Sequence, residues 1–271
     1  MTARVLITGA ASGMGRALAL RYAGEGAHLV LADTDADGLA TLAPDVERRG
    51  GIALCVPTDV SRPEQVADLV ARAHAGADGI DVLVNCAGVG IYAGVAEIPP
   101  EQWQKILGVN LLGTIYTTLA VLPRMRERRS GVIVNVASMS GILSTPFTVP
   151  YCTSKFGVVG FSRGLRAEVA RDGVRVVVVN PGMVRTEFAR HATRGRFRIL
   201  GREVSSASAS FLQRVEASRL GVSADEAARQ IRRAASGERA EVAIGMDAKI
   251  LTRIAGAFPG FTQRVLELLV R

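Results

Sequence analysis

Short apolar runs alternate with amphipathic helical stretches from residue 4 to about residue 180. The apolar runs are rich in Val, Ile and Leu, a pattern typical of strands that are buried on both faces of a parallel sheet. Helical stretches with apolar residues every three or four positions separate these runs. Repeated strand–helix–strand units favour right-handed crossovers and an open, doubly wound sheet. The pattern therefore predicts an α/β Rossmann-type fold, a doubly wound parallel sheet of about seven strands flanked by helices.

The predicted strands cover residues 4–8, 28–32, 52–56, 81–85, 131–137, 174–180 and 241–245. The predicted helices cover residues 13–24, 35–49, 62–75, 101–128 and 151–171. No linker rich in Pro, Gly or Ser divides the chain, so we expect a single domain over residues 1–271. Within it, residues 185–239 predict a helical insertion that shapes the substrate site, and residues 247–271 predict two short amphipathic helices.

Composition and charge narrow the class of protein. The chain has 271 residues, 48% hydrophobic and 21% charged, which excludes disordered, collagen-like and coiled-coil proteins. The net charge is +8, and residues 185–239 carry most of it. This localisation argues against a general nucleic-acid-binding protein. Five arginines in this region either receive a carboxylate, a phosphate or a coenzyme A moiety, or form a solvated helix face: Arg190, Arg194, Arg196, Arg198 and Arg202.

Cysteine and histidine spacing predicts neither a disulfide framework nor a metal site. Cys55, Cys86 and Cys152 stand far apart, without a Cys-x-x-Cys pair. The first apolar run begins at Val5, which leaves no room for a secretory segment, so we expect a cytoplasmic protein. Two uncharged stretches, 106–123 and 130–154, contain too many polar, glycine and proline residues for a transmembrane helix.

A glycine-rich turn joins the first strand to the first helix. Its residues run from Thr8 and Gly9 through Ser12, Gly13, Met14 and Gly15, with the spacing Gly-x3-Gly-x-Gly. Glycines at such a junction permit a tight turn and a close approach of the backbone to a pyrophosphate, and the helix N-terminus supplies N–H groups for the phosphates. The turn predicts a dinucleotide site.

Asp33 ends the second strand and indicates which dinucleotide binds. A carboxylate there accepts hydrogen bonds from the adenosine ribose hydroxyls and repels a 2′-phosphate. No Lys or Arg lies between Thr8 and Gly13 or directly after Asp33. We therefore expect NAD, with NADP as the less favoured cofactor.

Further motifs follow in order. Asn85-Cys86-Ala87-Gly88 follows the fourth strand, Asn110 lies in the long helix and Ser138 follows the fifth strand; Tyr151 and Lys155 open the next helix, and Pro181, Gly182 and Thr186 follow the sixth strand. With the glycine turn, these motifs make residues 4–188 resemble the short-chain dehydrogenase/reductase family. One departure is Cys86, where the family more often has a second asparagine.

Tyr151 and Lys155 are four residues apart and therefore share one face of a helix. An ammonium beside a phenol favours the phenolate and lowers the pKa of the tyrosine. Such a tyrosine can act as a general base for alcohol oxidation and as a general acid for ketone reduction. Ser138 would hydrogen-bond the substrate oxygen on which charge develops.

The resemblance implies an oxidoreductase with Asn110, Ser138, Tyr151 and Lys155 as catalytic residues, and with Ser138 and Tyr151 on the substrate. It also implies that Lys155 holds the nicotinamide ribose and that Asn110 positions a water molecule. The cofactor contacts that it implies, besides Tyr151 and Lys155, are Thr8, Gly9, Ser12, Gly13, Met14, Gly15, Asp33, Asp59, Val60, Asn85, Ala87, Gly88, Pro181, Gly182, Val184 and Thr186. Family members of this kind form homodimers or homotetramers through the helices that bear Asn110 and Tyr151.

The loops after the fifth and sixth strands do not identify the substrate. Apolar residues in the loops after the fifth and sixth strands either line a pocket for an apolar secondary alcohol or ketone, or pack against neighbouring helices: Met139, Ile142, Leu143, Phe147, Val149, Met183 and Phe188. One alternative function is a nucleotide-binding regulator without turnover. Another is a lipid or sterol dehydrogenase on a membrane surface, since residues 247–271 interleave apolar positions with Lys249, Arg253, Arg264 and Arg271.

Overall fold

Seven parallel strands form one sheet in the computed structural model, which describes residues 2–75, 79–186, 188, 192–194, 196–199, 202–205 and 221–270. The strands are β1 (Arg4–Thr8), β2 (His28–Asp33), β3 (Ile52–Pro57), β4 (Val82–Asn85), β5 (Gly131–Val136), β6 (Val174–Pro181) and β7 (Glu241–Ile244). Their order across the sheet is β3-β2-β1-β4-β5-β6-β7. The order reverses between β1 and β4, which is where α/β sheets bind ligands. The predicted doubly wound fold is confirmed.

Helices cover both faces of the sheet. They are α1 (Gly13–Ala23), α2 (Ala36–Arg48), α3 (Pro63–His74), α4 (Pro100–Leu107), α5 (Gly113–Glu127), α6 (Val149–Glu168), α7 (Ala224–Ser236), α8 (Met246–Ala257) and α9 (Pro259–Val270). The two helices predicted for residues 247–271 are therefore present as α8 and α9. A π-helical turn at Gly108–Leu112 joins α4 to α5.

The alternation of side chains along each strand divides the core into two layers. In β1, Val5 and Ile7 pack in the layer with α1, α2 and α7, and Leu6 packs in the layer with α3, α5 and α6. All three side chains are fully buried. Because both faces of each strand are covered by helices, the central strands need continuous apolar runs, as the sequence pattern showed.

The long helical segment Pro100–Glu127 has the length and mean hydropathy of a membrane span, with 44% of its most apolar window buried inside the protein. Several polar residues of this segment face the sheet, among them Asn110, Thr117 and Thr118, which are fully buried. Their hydrogen bonds reach Val89 and Asn85. We interpret the segment as a core helix of the α/β fold.

The structure corrects the helical character that was predicted for residues 185–239. The described part up to Ser223 forms short strands: Val184–Arg185 pairs with Val222–Ser223, Thr193–Arg194 pairs with Ile91–Tyr92, and Arg196–Ile199 pairs with Arg202–Ser205. Charged and apolar residues alternate with the period of a strand in Arg196-Phe197-Arg198-Ile199, a pattern that predicts a strand and not a helix.

Helix α7 also lies within residues 185–239, but it belongs to the sheet unit and not to an insertion. It connects toward β7 and packs against α1 through a buried stripe that includes Ala227, Ala228 and Ile231. Its first residue follows Ser223, whose side chain accepts a hydrogen bond from Glu226 N and so caps the helix. Residues 206–220 lie outside the described residues.

Candidate active site

The glycine turn after β1 fits tightly against the loop after β4. Gly9 has φ +67°, and a Cβ there would lie 2.7 Å from the Ala87 Cα. A Cβ on Gly15 would overlap the carbonyl oxygen of Gly9. The Thr8 hydroxyl accepts hydrogen bonds from Cys86 N at 3.1 Å and Ala87 N at 3.2 Å. The turn therefore needs glycine, and Thr8 joins the ends of β1 and β4.

The N-terminus of α1 opens toward the loop after β6. Among the described residues, no side chain caps this helix end, and its first turn contains no acid. Gly13 has φ +51°, and a Cβ there would lie 3.4 Å from the Thr186 Cγ2. The uncapped N–H groups of the first turn, with Ser12 and Met14 beside them, thus lie next to Thr186. Free N–H groups at a helix N-terminus can bind the pyrophosphate of a dinucleotide.

Asp33 lies directly at this turn. Its Oδ2 accepts a hydrogen bond from Ala11 N at 3.0 Å, and its Oδ1 accepts one from Asp35 N at 3.1 Å. Each carboxylate oxygen keeps a second acceptor site, which fits a ribose hydroxyl. The Arg16 guanidinium, on the neighbouring helix, is bound to Asp45 at 2.7 Å.

Asp59 and Val60 follow β3 at the same end of the sheet. The Asp59 Oδ1 accepts hydrogen bonds from the Ser61 N and Oγ at 2.9 and 2.6 Å. Val60 is 6% exposed, and a Cβ on Gly113 would lie 2.6 Å from its Cγ2. Val60 therefore packs against the start of α5, and Asp59 lies beside it after β3.

The Asn85 side chain points into the helix layer. Its Nδ2 donates to the Thr118 Oγ1 at 3.0 Å and to the Asn135 Oδ1 at 2.9 Å, and its Oδ1 accepts from the Thr117 Oγ1 at 2.6 Å. Asn135 in turn donates to the Ser162 Oγ at 2.9 Å. This buried network joins β4 and β5 to α5 and α6 and engages both side-chain polar atoms of Asn85.

Ser138, Tyr151 and Lys155 come together where β5 ends and α6 begins. The Ser138 side chain hydrogen-bonds Tyr151 and accepts from Ser140 N at 3.1 Å. The Lys155 Nζ lies 5.8 Å from the centroid of the Tyr151 ring. It donates a hydrogen bond to the Val136 carbonyl oxygen at 2.8 Å. The predicted one-turn spacing thus places the phenol, the hydroxyl and the ammonium in one cluster.

Burial dominates the ionisation of this cluster. It raises the pKa of Tyr151 above its ordinary value, and the hydrogen bond from Ser138 offsets part of that rise. Burial also lowers the pKa of Lys155, to about 8, because the charged ammonium is disfavoured away from water. The expectation that Lys155 lowers the pKa of Tyr151 is therefore wrong for the protein without cofactor, where desolvation is the larger effect.

Asn110 lies in the π-helical turn and is fully buried. Its Oδ1 accepts from Val89 N at 2.8 Å, and its Nδ2 donates to the Val89 carbonyl at 3.0 Å and to the Ser154 Oγ at 3.0 Å. A Cβ on Gly88 would lie 3.4 Å from the Asn110 Oδ1 and 3.7 Å from the Lys155 Nζ. Asn110 therefore holds the loop after β4 against α6, next to the lysine.

The loop after β6 is anchored by the start of α8. Gly182 N donates to the Ile244 carbonyl at 2.9 Å, and Met183 N donates to the Asp247 Oδ2 at 2.6 Å. A Cβ on Gly182 would overlap the Asp247 carboxylate. These contacts fix the chain after Pro181. Val184 then pairs with Val222 in a short parallel pair, and Thr186 lies next to Gly13 of the glycine turn.

Phe188 covers Tyr151. The two ring centroids are 5.6 Å apart, and the ring planes are inclined by 56°. A Cβ on Gly90 would lie 2.8 Å from the Phe188 Cε1, and Gly90 O accepts from Thr193 N at 2.9 Å. Phe188 thus lies over the phenol through an aromatic contact, and Thr193 is joined to Gly90 beside it by a backbone hydrogen bond.

Other predicted pocket residues spread along the neighbouring loops. Met139 begins a 3₁₀ turn directly after Ser138, Phe147 has φ +65° and accepts from Ala93 N at 2.9 Å, and Met183 is 38% exposed. The side chains of the predicted arginine group lie outside the described residues: Arg190, Arg194, Arg196, Arg198 and Arg202. In the part of the chain that the structure describes, no group of three or more His, Cys, Asp or Glu side chains could hold a metal ion.

The family model for short chain dehydrogenase matches residues 3–196, well over half of the chain. The chain belongs to the short-chain dehydrogenase/reductase family. An uncharacterized oxidoreductase of Staphylococcus aureus (strain MRSA252) is 36% identical over 181 residues, which are 67% of this chain and 78% of the relative. An uncharacterized oxidoreductase of Staphylococcus saprophyticus is 37% identical over 185 residues, which are 68% and 79% of the two chains.

Solved structures of this family match almost the entire fold. A short chain dehydrogenase/reductase from Burkholderia phymatum in complex with NAD has a TM-score of 0.85 and 28% identity, covering 96% of this chain and 95% of the other. A short-chain dehydrogenase from Streptomyces avermitilis has a TM-score of 0.80 and 27% identity, covering 99% and 98%. The chain is therefore an oxidoreductase of the short-chain dehydrogenase/reductase family.

Sequence reasoning missed two features of this family member. The π-helical turn that places Asn110 has no signal in the hydrophobic pattern, although such turns are frequent at functional sites. Asp247 was assigned only to an amphipathic tail. Its signal was the preceding Gly245, which has φ +90° and turns the chain so that the carboxylate faces the loop after β6.

Proposed function

We propose that the chain is an NAD-dependent oxidoreductase that interconverts a secondary alcohol and a ketone by hydride transfer, with an apolar substrate. The observation that carries the proposal is the cluster of Ser138, Tyr151 and Lys155, in which the Lys155 Nζ lies 5.8 Å from the centroid of the Tyr151 ring. The cluster lies at the carboxyl end of a sheet whose glycine turn fits a pyrophosphate. A proton-transfer group therefore stands where this family binds a nicotinamide cofactor.

Tyr151 is the general acid and base in this proposal, because its hydroxyl is the proton carrier closest to Ser138. Ser138 donates a hydrogen bond to the substrate oxygen and steadies the charge that develops there. A bound nicotinamide supplies the site that accepts or donates the hydride. Lys155 lies beside the phenol. Asn110 holds the loop after β4 against α6, next to Lys155, through hydrogen bonds to Val89 and Ser154.

NAD is the cofactor that the residues around Asp33 support. The carboxylate lies at the glycine turn, where it can accept hydrogen bonds from the adenosine ribose hydroxyls, and a 2′-phosphate beside it would meet a negative charge. Arg16, which could otherwise offset that charge, is paired with Asp45. The similar structure from Burkholderia phymatum contains NAD, which agrees with this preference.

An apolar substrate fits the surroundings of Tyr151. Phe188 lies against its ring, and the ring packs on the buried cluster that includes Ile91 and Ile106. Phe188 and this cluster form an apolar surface beside the phenol. The carbon skeleton of a secondary alcohol would be desolvated by such a surface, while its oxygen reaches Ser138 and Tyr151.

We also propose that the chain is a single domain that forms a homodimer or homotetramer in the cytoplasm. Leu112, Leu119 and Phe156 are 40%, 54% and 41% exposed on the segments that carry Asn110 and Tyr151. Exposed apolar side chains on two neighbouring helices support an interface there. The three cysteines are unpaired, which suits a reducing compartment.

The test is NADH formation by the purified protein across steroidal, short-chain diol and hydroxyacyl alcohols, with NADP in parallel. Turnover with NAD that falls by about a thousandfold or more in Tyr151→Phe would support the proposal, since this variant keeps the ring and removes the proton carrier. Tight NAD binding without turnover of any alcohol or ketone would favour a nucleotide-binding regulator. Faster reaction with NADP would contradict the role given to Asp33.

A further inference from the structure

Helices α8 and α9 carry an apolar face that the described part of the chain leaves uncovered. Ile250 and Ile254 on α8, and Phe258 directly after this helix, are 50%, 37% and 63% exposed. On α9, Phe261, Val265 and Leu268 are 65%, 41% and 57% exposed. The spacing in each set places its members on one side of a helix. Single exposed apolar residues are common on protein surfaces, but six of them on and between two consecutive helices form a patch of the kind that marks an interaction site.

The charges around this patch are positive. Lys249, Arg253 and Arg264 are exposed on the same two helices. Of the acids, Asp247 is turned inward and accepts a hydrogen bond from Met183 N, and Glu267 lies on the other side of α9. An apolar stripe bordered by cations is the pattern of a helix that lies on an anionic lipid surface.

The other side of α9 covers a groove next to the candidate active site. Gln263, Leu266 and Glu267 face residues 144–146 and Val149 across a cavity of about 450 Å³. Those residues belong to the segment between Ser138 and Tyr151. Helix α9 thus lines this groove with one side, and its opposite side presents Phe261, Val265 and Leu268 to the outside.

We propose that α8 and α9 dock the protein on an anionic lipid surface, with the apolar patch in the lipid and Lys249, Arg253 and Arg264 at the headgroups. A second copy of the chain suits the patch less well, because a two-fold contact would bring the same cations together.

The test is flotation of the full chain with vesicles of phosphatidylcholine, pure or containing about three parts in ten of phosphatidylserine. We expect binding to the anionic vesicles that weakens as salt is added. Phe258→Ser/Phe261→Ser/Leu268→Ser should weaken it by about tenfold or more, because it removes the apolar contact. The matched control is Ile52→Ser/Val95→Ser, at sites that are 59% and 56% exposed elsewhere.

The contribution of charge is tested in the same way. Lys249→Gln/Arg253→Gln/Arg264→Gln should weaken vesicle binding by about tenfold or more. Arg49→Gln/Arg171→Gln/Arg239→Gln changes the net charge equally at other exposed sites and should leave binding within about twofold of the parent. Equal losses in both variants would overturn the proposal, because binding would then follow total charge.

Two further outcomes would also overturn docking. One is a parent protein that does not float with anionic vesicles. The other is a parent oligomer that dissociates in the triple serine variant without any vesicle binding, which would assign the patch to contact between copies. Each variant must keep the circular dichroism spectrum and melting temperature of the parent. Flotation requires no turnover, so its result stands whether or not the enzyme assay succeeds.

Discussion

The Asp247 carboxylate, in the first turn of α8, accepts a hydrogen bond from Met183 N at 2.6 Å. It fills the space beside Gly182, where a Cβ would overlap it. The C-terminal helices are thereby joined to the loop that leads from β6 toward Thr186. This contact links a segment remote in sequence to the proposed nicotinamide side of the site.

Replacing Asp247 should loosen that loop. Asp247→Ala leaves Met183 N without its acceptor, and hydrogen bonds to charged groups contribute about 1.5–3 kcal/mol. We expect kcat/KM for the cofactor to fall by about tenfold or more, with a higher KM. Asp247→Asn keeps an acceptor oxygen and should restore most of the loss. Equal defects in the two variants would mean that the hydrogen bond does not position the loop.

Phe188 should limit the size of the substrate, because its ring lies 5.6 Å from that of Tyr151. Phe188→Ala is expected to raise kcat/KM for a bulky ketone relative to a small one by about tenfold. Gly90→Ala should act in the same direction, since the new Cβ would meet the Phe188 ring at 2.8 Å. Gly160→Ala, where nothing lies within 4 Å of the new Cβ, is the control. Unchanged ratios in both variants would show that Phe188 does not bound the pocket.

Asp33 should decide the preference between NAD and NADP. In Asp33→Ser the negative charge is gone, so the ratio of kcat/KM with NADP to kcat/KM with NAD should rise by about tenfold or more. Asp68→Ser removes the same charge from an exposed position on α3 and should leave the ratio unchanged. The measurement is the initial rate with each cofactor at limiting concentration. A ratio that stays the same in Asp33→Ser would contradict the role of the carboxylate.

The buried network around Asn135 should stabilise the junction of the sheet with α5 and α6. Asn135→Ala removes the acceptor of Asn85 Nδ2 and the donor to Ser162 Oγ, and unsatisfied buried groups cost about 1–3 kcal/mol each. We expect the free energy of unfolding in urea to fall by about 2–4 kcal/mol. Thr153→Ala, which removes an exposed hydroxyl bonded to the Val149 carbonyl, should cost well under about 1 kcal/mol. A similar cost in both variants would contradict the importance of the network.

Lys155 should make stability depend on pH in the protein without cofactor. Its pKa is about 8 in the fold and 10.5 when unperturbed, so between these values the unfolded chain binds the proton and the folded chain does not. The free energy of unfolding should therefore rise with pH across this window, by up to about 1 kcal/mol per pH unit. Urea unfolding of the parent and of Lys155→Met at matched pH values checks this slope. A slope that persists in Lys155→Met would assign it to other groups.

Much of the architecture followed from local patterns. Continuous apolar runs such as the one in β6 could only be strands covered on both faces, and the turn from Thr8 to Gly15 could only join a strand to a helix. The helix that carries Tyr151 and Lys155 was predicted to begin two residues after its actual start at Val149. These features depend on residues close together in the chain, which the sequence displays directly.

Contacts between distant segments were beyond that approach. Residues 185–239 were predicted to be helical from their arginine and serine content, yet Thr193–Arg194 pairs with the distant Ile91–Tyr92. The π-helical turn at Asn110 forms where Val89 and Ser154 offer partners to one side chain. No local pattern contains those partners.

The order of residue types along the chain was therefore sufficient for the fold, the family and the cluster of Ser138, Tyr151 and Lys155. The ionisation of that cluster could not be predicted in this way, because the desolvation that raises the pKa of Tyr151 depends on every atom packed around it. The positions of Asp247 and Phe188 were not predicted either, because each depends on a contact between segments, with Met183 N for Asp247 and with the Tyr151 ring for Phe188. Features that depend on the spacing of residues along the chain can be predicted from the sequence, whereas burial and contacts between distant segments arise only in the folded chain.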